Sequence, residues 1–200
     1  MIKNIVFDIG NVLIDFKPLE YLNSNLQNIP LSERIYTEMF RSLEWIQLDQ
    51  GTITEEDAIK SVCCQYPEDA EAITNVMENW YSLLTPIEGS VDILYKLRAA
   101  SYKTYILSNY HIKSFEHIFS KYDFFSLFDG MVVSAKVKCL KPDAQIFHCL
   151  TGEYGIIPSE SLFIDDTMEN IDAAENLGFK AIHFTTPDRL YKSLQELNIL

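Results

Sequence analysis

From residue 86 onward the chain alternates in a way that leaves few folds open. Short apolar runs stand at 104–107, 130–133, 162–164 and 180–184. Stretches with helical spacing of apolar residues lie before each of them: about 89–100 (Val91, Leu94, Leu97), 112–121, Pro142 to about Gly152, and 168–177, the last ended by Gly178. Strands alternating with helices make βαβ units, and βαβ units make a parallel sheet with right-handed crossovers. A final helix after Pro187 closes the chain. An earlier apolar run, Ile5-Val6-Phe7, delivers Asp8 into a turn. In an open sheet of this kind, ligands bind in the crevice beyond the carboxyl ends of the strands.

Between that first strand and the alternating region, residues 15–86 lack short β-branched runs and read as helices. Pro30-Leu31-Ser32-Glu33 starts one, with Ser32 as N-cap and Ile35, Met39, Phe40 and Leu43 at helical spacing. Thr54 starts another, with Asp57 three residues on, the capping-box spacing with a shorter acid. A third covers about 67–84, with Ile73, Val76, Met77, Trp80 and Leu84 as its stripe. The expected architecture is α/β: a doubly wound parallel sheet, Rossmann-like, built from 1–14 and 87–200. A helical cap over 15–86 is inserted after the first strand.

Two hundred residues suit one such domain with a sizeable insertion. No run approaches the roughly 18 apolar residues of a membrane span. The N-terminus enters a strand at once, so no secretory signal is expected. Four cysteines without CxxC or metal-ligand spacing suit reduced thiols in a cytoplasmic protein. A formal charge of −13 disfavours nucleic acid and anionic membrane as partners. It also repels anionic small molecules, so a phosphate site must be a local island of positive potential. The expected assembly is a monomer or a weak homodimer.

Three strands end in polar clusters: Asp8 after the first, Ser108-Asn109 after 104–107, and Asp165-Asp166-Thr167-Met168-Glu169-Asn170 after Ile164. Each has a plainer reading. Asp8 suits a turn, Ser108-Asn109 suits a helix N-cap, and Asp166 or Thr167 suits a cap for the next helix. If the strands are neighbours, Asp8, Asp165 and Asp166 meet, and three carboxylates that close do not all stay ionised without a cation. Oxygen ligands with no nearby His or Cys select a hard ion, Mg²⁺ before Zn²⁺. Lys141-Pro142-Asp143 opens a helix, with Pro142 at its first position and Asp143 in its first turn. Lys141 then reaches back toward the strand ends and makes a local anion site. His111, His117, His148 and His183 show no ligand spacing and read as structural. Cys63, Cys64, Trp45 and Trp80 read as core, with Trp45 also able to face the site.

Phe7-Asp8-Ile9-Gly10-Asn11-Val12-Leu13, Leu107-Ser108-Asn109, Lys141-Pro142 and Phe163-Ile164-Asp165-Asp166 match, in order and rough spacing, the four motifs of the haloacid dehalogenase superfamily. The D-x-G-N-V form of the first motif resembles the small α-glucose-1-phosphate phosphatase-like members, and the turn Leu48 to Thr54 is similar to theirs. The resemblance implies a Mg²⁺-dependent phosphatase acting on a small phosphorylated metabolite. Asp8 is then nucleophile and metal ligand, and the Gly10 carbonyl a second ligand. Asp166 is the direct acidic ligand of the fourth motif, and Asp165 stands behind it. Ser108, the Asn109 backbone and Lys141 hold the phosphoryl oxygens, with Lys141 also stabilising charge in the reaction.

One position departs from the family pattern. Most of its phosphatases carry a second aspartate two residues after the nucleophile, as general acid and base; here that residue is Gly10. Loss of a general acid typically costs about 10²–10⁴ in rate. Leaving groups that need little protonation, such as an anomeric oxygen, would suffer least. Two other functions compete: a 2-haloacid dehalogenase, which uses the same aspartate without Mg²⁺ and needs no acidic pair, and a non-catalytic module that binds metal and phosphate.

Overall fold

The computed structural model describes residues 1–200. After β1 (Asn4–Phe7), a two-residue β2 (Ile14–Asp15) leads into five helices: α1 (Pro18–Leu26), α2 (Ile29–Ile35), α3 (Leu43–Gln50), α4 (Glu55–Gln65) and α5 (Ala70–Asn79). The equally short β3 (Thr85–Pro86) returns antiparallel to β2, with Ile14 opposite Pro86 and Asp15 opposite Thr85. There follow α6 (Glu88–Ala99), β4 (Lys103–Ser108), α7 (Ile112–Lys121), β5 (Gly130–Val133) and α8 (Ser134–Val137). The chain ends with α9 (Ala144–Tyr154), β6 (Ser161–Asp165), α10 (Met168–Asn176), β7 (Lys180–His183) and α11 (Pro187–Glu196).

The five longer strands form one parallel sheet in the order β5-β4-β1-β6-β7. From β1 the chain winds outward through β4 to β5, then crosses back to β6 and β7. β1 therefore sits where the winding reverses, and its carboxyl end opens the crevice. Phe7 pairs with Ile106 on one side and Ile164 on the other. The next residues, Asp8 just past β1 and Asp165 at the end of β6, stand side by side at this edge.

Every residue of β1 is buried, as a central strand covered on both faces requires. Its side chains alternate between two cores. Val6 packs with Leu107, Phe147, Phe163 and Phe179 under α9 and α10. Ile5 and Phe7 face the other way, into a core that also holds Leu22, Ile35, Met39, Trp45 and Trp80. The helical insertion thus shares one apolar interior with the sheet.

Thr54 caps α4 with both capping-box bonds to Asp57, as its spacing indicates. Other boundaries differ from the sequence reading. Asn28, not Ser32, caps α2, accepting from the Leu31 N–H at 3.2 Å. Pro30 fits the first helical turn, where its missing N–H is not needed, so the helix starts earlier and Ser32 is buried inside it. The helix expected over 67–84 is α5 followed by a 3₁₀ turn over Trp80–Leu83. Pro142 lies before α9 rather than in it: Asp143 is the N-cap, accepting from Gln145 N–H at 2.9 Å, and the Lys141–Pro142 peptide is cis. Cys64 is exposed and not a core residue, while Cys63 is partly buried. Ala58 and Val62 fix the inward face of α4, and Cys64 lies two residues past it.

The end of α3 is fastened to α8. The Ser134 hydroxyl donates to the Asp49 carbonyl, the Lys138 ammonium donates to the Gly51 carbonyl, and Gln50 Nε2 donates to the Lys138 carbonyl at 3.3 Å. Gly51 terminates α3 at φ +69°, and a Cβ there would overlap the Ala135 carbonyl oxygen. Gly51→Ala is therefore expected to destabilise the protein by about 1–3 kcal/mol. The control is Gly152→Ala inside α9, where a Cβ meets nothing within 4 Å and helix propensity improves. Thermal melts of both variants check this: equal Tm values would show that the α3–α8 approach is loose.

Candidate active site

Asp8 is 7% exposed at the end of β1. The Lys141 ammonium lies 2.8 Å from Asp8 Oδ1 and 2.6 Å from Asp165 Oδ2. Lys141 is 4% exposed and Asp165 is fully buried, so this is a charged triad without solvent. Burial alone would lower the lysine's pKa; the attraction of Asp8 and Asp165 outweighs it and holds the ammonium above its ordinary value. Burial pushes the Asp8 carboxyl up, the Lys141 charge pulls it down, and the Asp165 charge raises it again; it comes to about 7.

Both oxygens of Asp165 are committed. Oδ1 accepts from Thr167 N–H at 2.8 Å, and Asn170 Nδ2 lies 3.0 and 3.1 Å from Oδ1 and Oδ2. Asp166 is freer. Its Oδ2 accepts from Asn11 Nδ2 at 3.2 Å, and its pKa is raised by burial despite that bond. Asn11 stands at φ +53°, a conformation Asn tolerates, and its Oδ1 accepts from Phe16 N–H at 3.1 Å. It ties the turn after β1 both to the start of the insertion and to the acidic cluster.

Ligand oxygens of Asp8, Asp165 and Asp166 lie within 4.8 Å of one another. Opposite oxygens around a small octahedral divalent cation are about 4 Å apart. An all-carboxylate set at this spacing fits a hard ion, with Asp8 and Asp166 offering the less committed oxygens. Thr167 is the N-cap residue of α10 but makes no side-chain cap bond, and neither does Asp166.

Ser108 ends β4 and Asn109 follows it, and α7 starts only at Ile112 after His111, so they do not cap it. The buried Ser108 hydroxyl has no hydrogen-bond partner in the protein. The Asn109 side chain is spent on the Lys141 backbone: Oδ1 accepts from Lys141 N–H at 2.8 Å and Nδ2 donates to the Lys141 carbonyl at 3.0 Å. Asn109 therefore fixes the lysine and has only its backbone to offer a ligand.

Beyond Gly10 lies a cavity of about 120 Å³, lined by Gly10, Phe16, Trp45, Asp49, Trp80, Asn109, Tyr110 and His111. A Cβ placed on Gly10 meets nothing within 4 Å. Trp80 stacks on His111 at 5.0 Å and 8°, and Trp45 meets the same ring edge-on at 4.7 Å. Burial pushes His111 down to about 3, so its imidazole is neutral, and its Nδ1 and the Tyr110 hydroxyl have no protein partner. Burial and the Asp8 charge raise the Asp49 carboxyl to about 7, against the pull of Lys141 and the His111 backbone. A wider groove of about 470 Å³ runs between Gly51–Asp57 and α7–α8. None of Asp8, Lys141, Asp165 or Asp166 lines it, so the chemistry lies elsewhere.

Every residue singled out at the strand ends is thus brought to one place: Asp8, Gly10, Ser108, Asn109, Lys141, Asp165 and Asp166. Sequence reasoning missed Asp49, Asn170 and the cavity role of His111. Asp49 carried one signal. It follows Trp45 by one helical turn, which puts a carboxyl on the buried face of α3.

A profile of the haloacid dehalogenase-like hydrolases matches residues 2–178. The chain is 25% identical to D-ribitol-5-phosphate phosphatase of Bacteroides thetaiotaomicron, over all of this chain and 98% of that one. It is 23% identical to an (S)-2-haloacid dehalogenase of Pseudomonas fluorescens, over 89% of this chain and 82% of the dehalogenase. A longer relative, drimenol cyclase of Aspergillus calidoustus, is spanned over 37% of its length. Among solved structures, a haloacid dehalogenase family enzyme of B. thetaiotaomicron, in complex with magnesium and inorganic phosphate, superposes with a TM-score of 0.72. It is 26% identical, with 93% of this chain and 96% of that one covered. The five-stranded parallel sheet, the four motifs at its edge and the match over most of its length make this chain a haloacid dehalogenase-like hydrolase.

Proposed function

We propose that this hydrolase is a Mg²⁺-dependent phosphatase for a small phosphorylated metabolite, with a sugar or polyol as leaving group. The observation that carries the reading is the acidic cluster with a buried lysine: Asp8, Asp165 and Asp166 within 4.8 Å, and Lys141 between two of them. A divalent cation and a lysine together balance the charge of an anionic nucleophile facing an anionic substrate. The relatives that name a phosphate ester or bind magnesium and phosphate support the same reading.

In this reading Asp8 attacks phosphorus in line and an aspartyl-phosphate forms. Asp8, Asp166 and the Gly10 carbonyl would hold Mg²⁺, which would supply positive charge against the repulsion between nucleophile and phosphate. Asp165 holds Lys141 in place rather than reaching the metal. Lys141, the Ser108 hydroxyl and the Asn109 backbone N–H stabilise the phosphoryl oxygens. Water then releases phosphate from Asp8. Residues 15–86 act as a cap over a core of 1–14 and 87–200. The small cavity under it selects compact leaving groups, among them those of glucose-1-phosphate phosphatase-like substrates. No helix is long and apolar enough to cross a membrane. The four free cysteines suit a cytoplasmic setting.

A metabolite phosphate panel with Mg²⁺ tests this. Turnover is expected to vanish with EDTA and return with Mg²⁺, and to fall by about 10³-fold or more in Asp8→Asn. Halide release from chloroacetate without metal would replace the reading with a 2-haloacid dehalogenase. Intact Mg²⁺ binding without turnover of any ester would leave a binding module.

A pH dependence follows as well. The Asp8 pKa is about 7 in the folded protein against an ordinary 3.8, so the folded state holds a proton that the unfolded chain releases. This group therefore withdraws stability from the metal-free protein as pH rises between those values. Mg²⁺ binds the carboxylate, so its affinity rises over the same window and levels off above about 7. The rise in Tm on adding Mg²⁺ is expected to be larger at pH 8 than at pH 5.5; an equal rise would remove Asp8 from the metal site.

A further inference from the structure

The cavity beyond Gly10 holds a carboxyl that the reaction as described so far does not use. Gly10 stands where related phosphatases place their acid, and the space in front of it is open, since a Cβ there meets nothing within 4 Å. Asp49 lines the same cavity as Gly10, from the last turn of α3. It stands outside the cluster of Asp8, Asp165 and Asp166, so a metal does not claim it. It is close enough to the site for its carboxyl to feel the charges of both Asp8 and Lys141.

The position is built rather than incidental. Ser134 and Lys138 donate to the backbone carbonyls of Asp49 and Gly51, the Gln50 side chain donates to the Lys138 carbonyl, and the Ser134 hydroxyl that grips Asp49 also accepts from Tyr110 N–H at 2.9 Å. One serine therefore ties the α3 end to the loop after β4. The same cavity is lined by Phe16, Trp45, Trp80 and a neutral His111, and Asp49 is half-buried beside them. A carboxyl in such surroundings keeps a proton near neutral pH, as a general acid must.

We propose that Asp49 is the general acid and base of the phosphatase reaction, reaching from the insertion into the space that Gly10 leaves open. The proposal rests on the phosphatase reading above. In the first half-reaction Asp8 forms its bond to phosphorus as the bond from phosphorus to the leaving oxygen breaks. The Asp49 proton passes to that oxygen, giving a neutral alcohol and an Asp49 carboxylate. In the second, water attacks the phosphorus of the aspartyl-phosphate and gives its proton to Asp49. Phosphate departs, the Asp8 carboxylate is regenerated, and Asp49 is again protonated. Leaving groups of high pKa are then accessible although Gly10 has no side chain.

The test measures leaving-group release in the first turnover, with Mg²⁺, from p-nitrophenyl phosphate and from glycerol phosphate. The first leaving group needs no proton and the second does. In Asp49→Asn, glycerol release is expected to slow by about 100-fold or more, and p-nitrophenol release by less than about fivefold. The variant then stalls with phosphate on Asp8. Adding Gly10→Asp to Asp49→Asn is expected to recover at least about tenfold on glycerol phosphate, by restoring an acid from the other wall. Equal slowing on both substrates, or no slowing on either, overturns the proposal while leaving the phosphatase reading intact. A wild type that turns over neither ester with Mg²⁺ fails that reading itself, and the proposal with it. Should thermal melts show Asp49→Asn unfolded, a series of aryl and alkyl phosphates on the wild type decides. A first-turnover rate nearly independent of leaving-group pKa supports Asp49, and a steep fall from aryl to alkyl overturns it.

Discussion

Two buried carboxylates facing the same crevice repel one another, and water is absent to screen them. Lys141 makes their closeness tolerable. Its ammonium lies within hydrogen-bonding distance of Asp8 and Asp165 at once, and Asn109 grips its backbone on both sides. Removing one partner from a buried ion pair typically costs about 3–5 kcal/mol, because the remaining charge is stranded. The ends of β1, β4 and β6 and the residue before Pro142 are thereby held in one geometry. On the phosphatase reading, a phosphate entering that place meets a cation already fixed, a local attraction for an anion in a chain of net charge −13.

The aromatic wall of the insertion completes the enclosure. Phe16, Phe40, Trp45 and Trp80 pack around His111 with centroid separations between 4.7 and 6.5 Å. They bridge the insertion and the loop after β4, and they line a small cavity that also borders Gly10 and Asn109. Low dielectric strengthens every charge interaction inside it, favourable or not. The same packing that stabilises the insertion therefore tunes the groups that face the reaction.

Much of this was legible in the sequence because it follows from periodicity. Alternating runs set the parallel sheet, and a parallel sheet brings the residues after Phe7, Leu107 and Ile164 to one edge. Asp8, Ser108, Asp165 and Asp166 could be grouped on that ground alone. Lys141 was grouped with them from its place before a helix start and from the motif, although the turn that aims it differs from that reading; Asp143 caps α9 and displaces Pro142 from it. Asn109 was grouped with the phosphoryl-binding residues for its backbone, and its side chain serves the lysine. Asp49 was out of reach for a different reason. Its place depends on how α3 docks against α8, a long-range arrangement set by Ser134, Lys138 and the close approach at Gly51.

The short ribbon of β2 against β3 brings the two ends of the insertion side by side, Asp15 next to Thr85. A segment that enters and leaves through one doorway can be exchanged as one unit, provided the replacement also fills the core it shares with Ile5 and Phe7. With a proton donor mounted on that segment, an exchange transfers reactivity along with substrate preference. Selectivity and the difficulty of the bond broken then reside in the same segment of the chain.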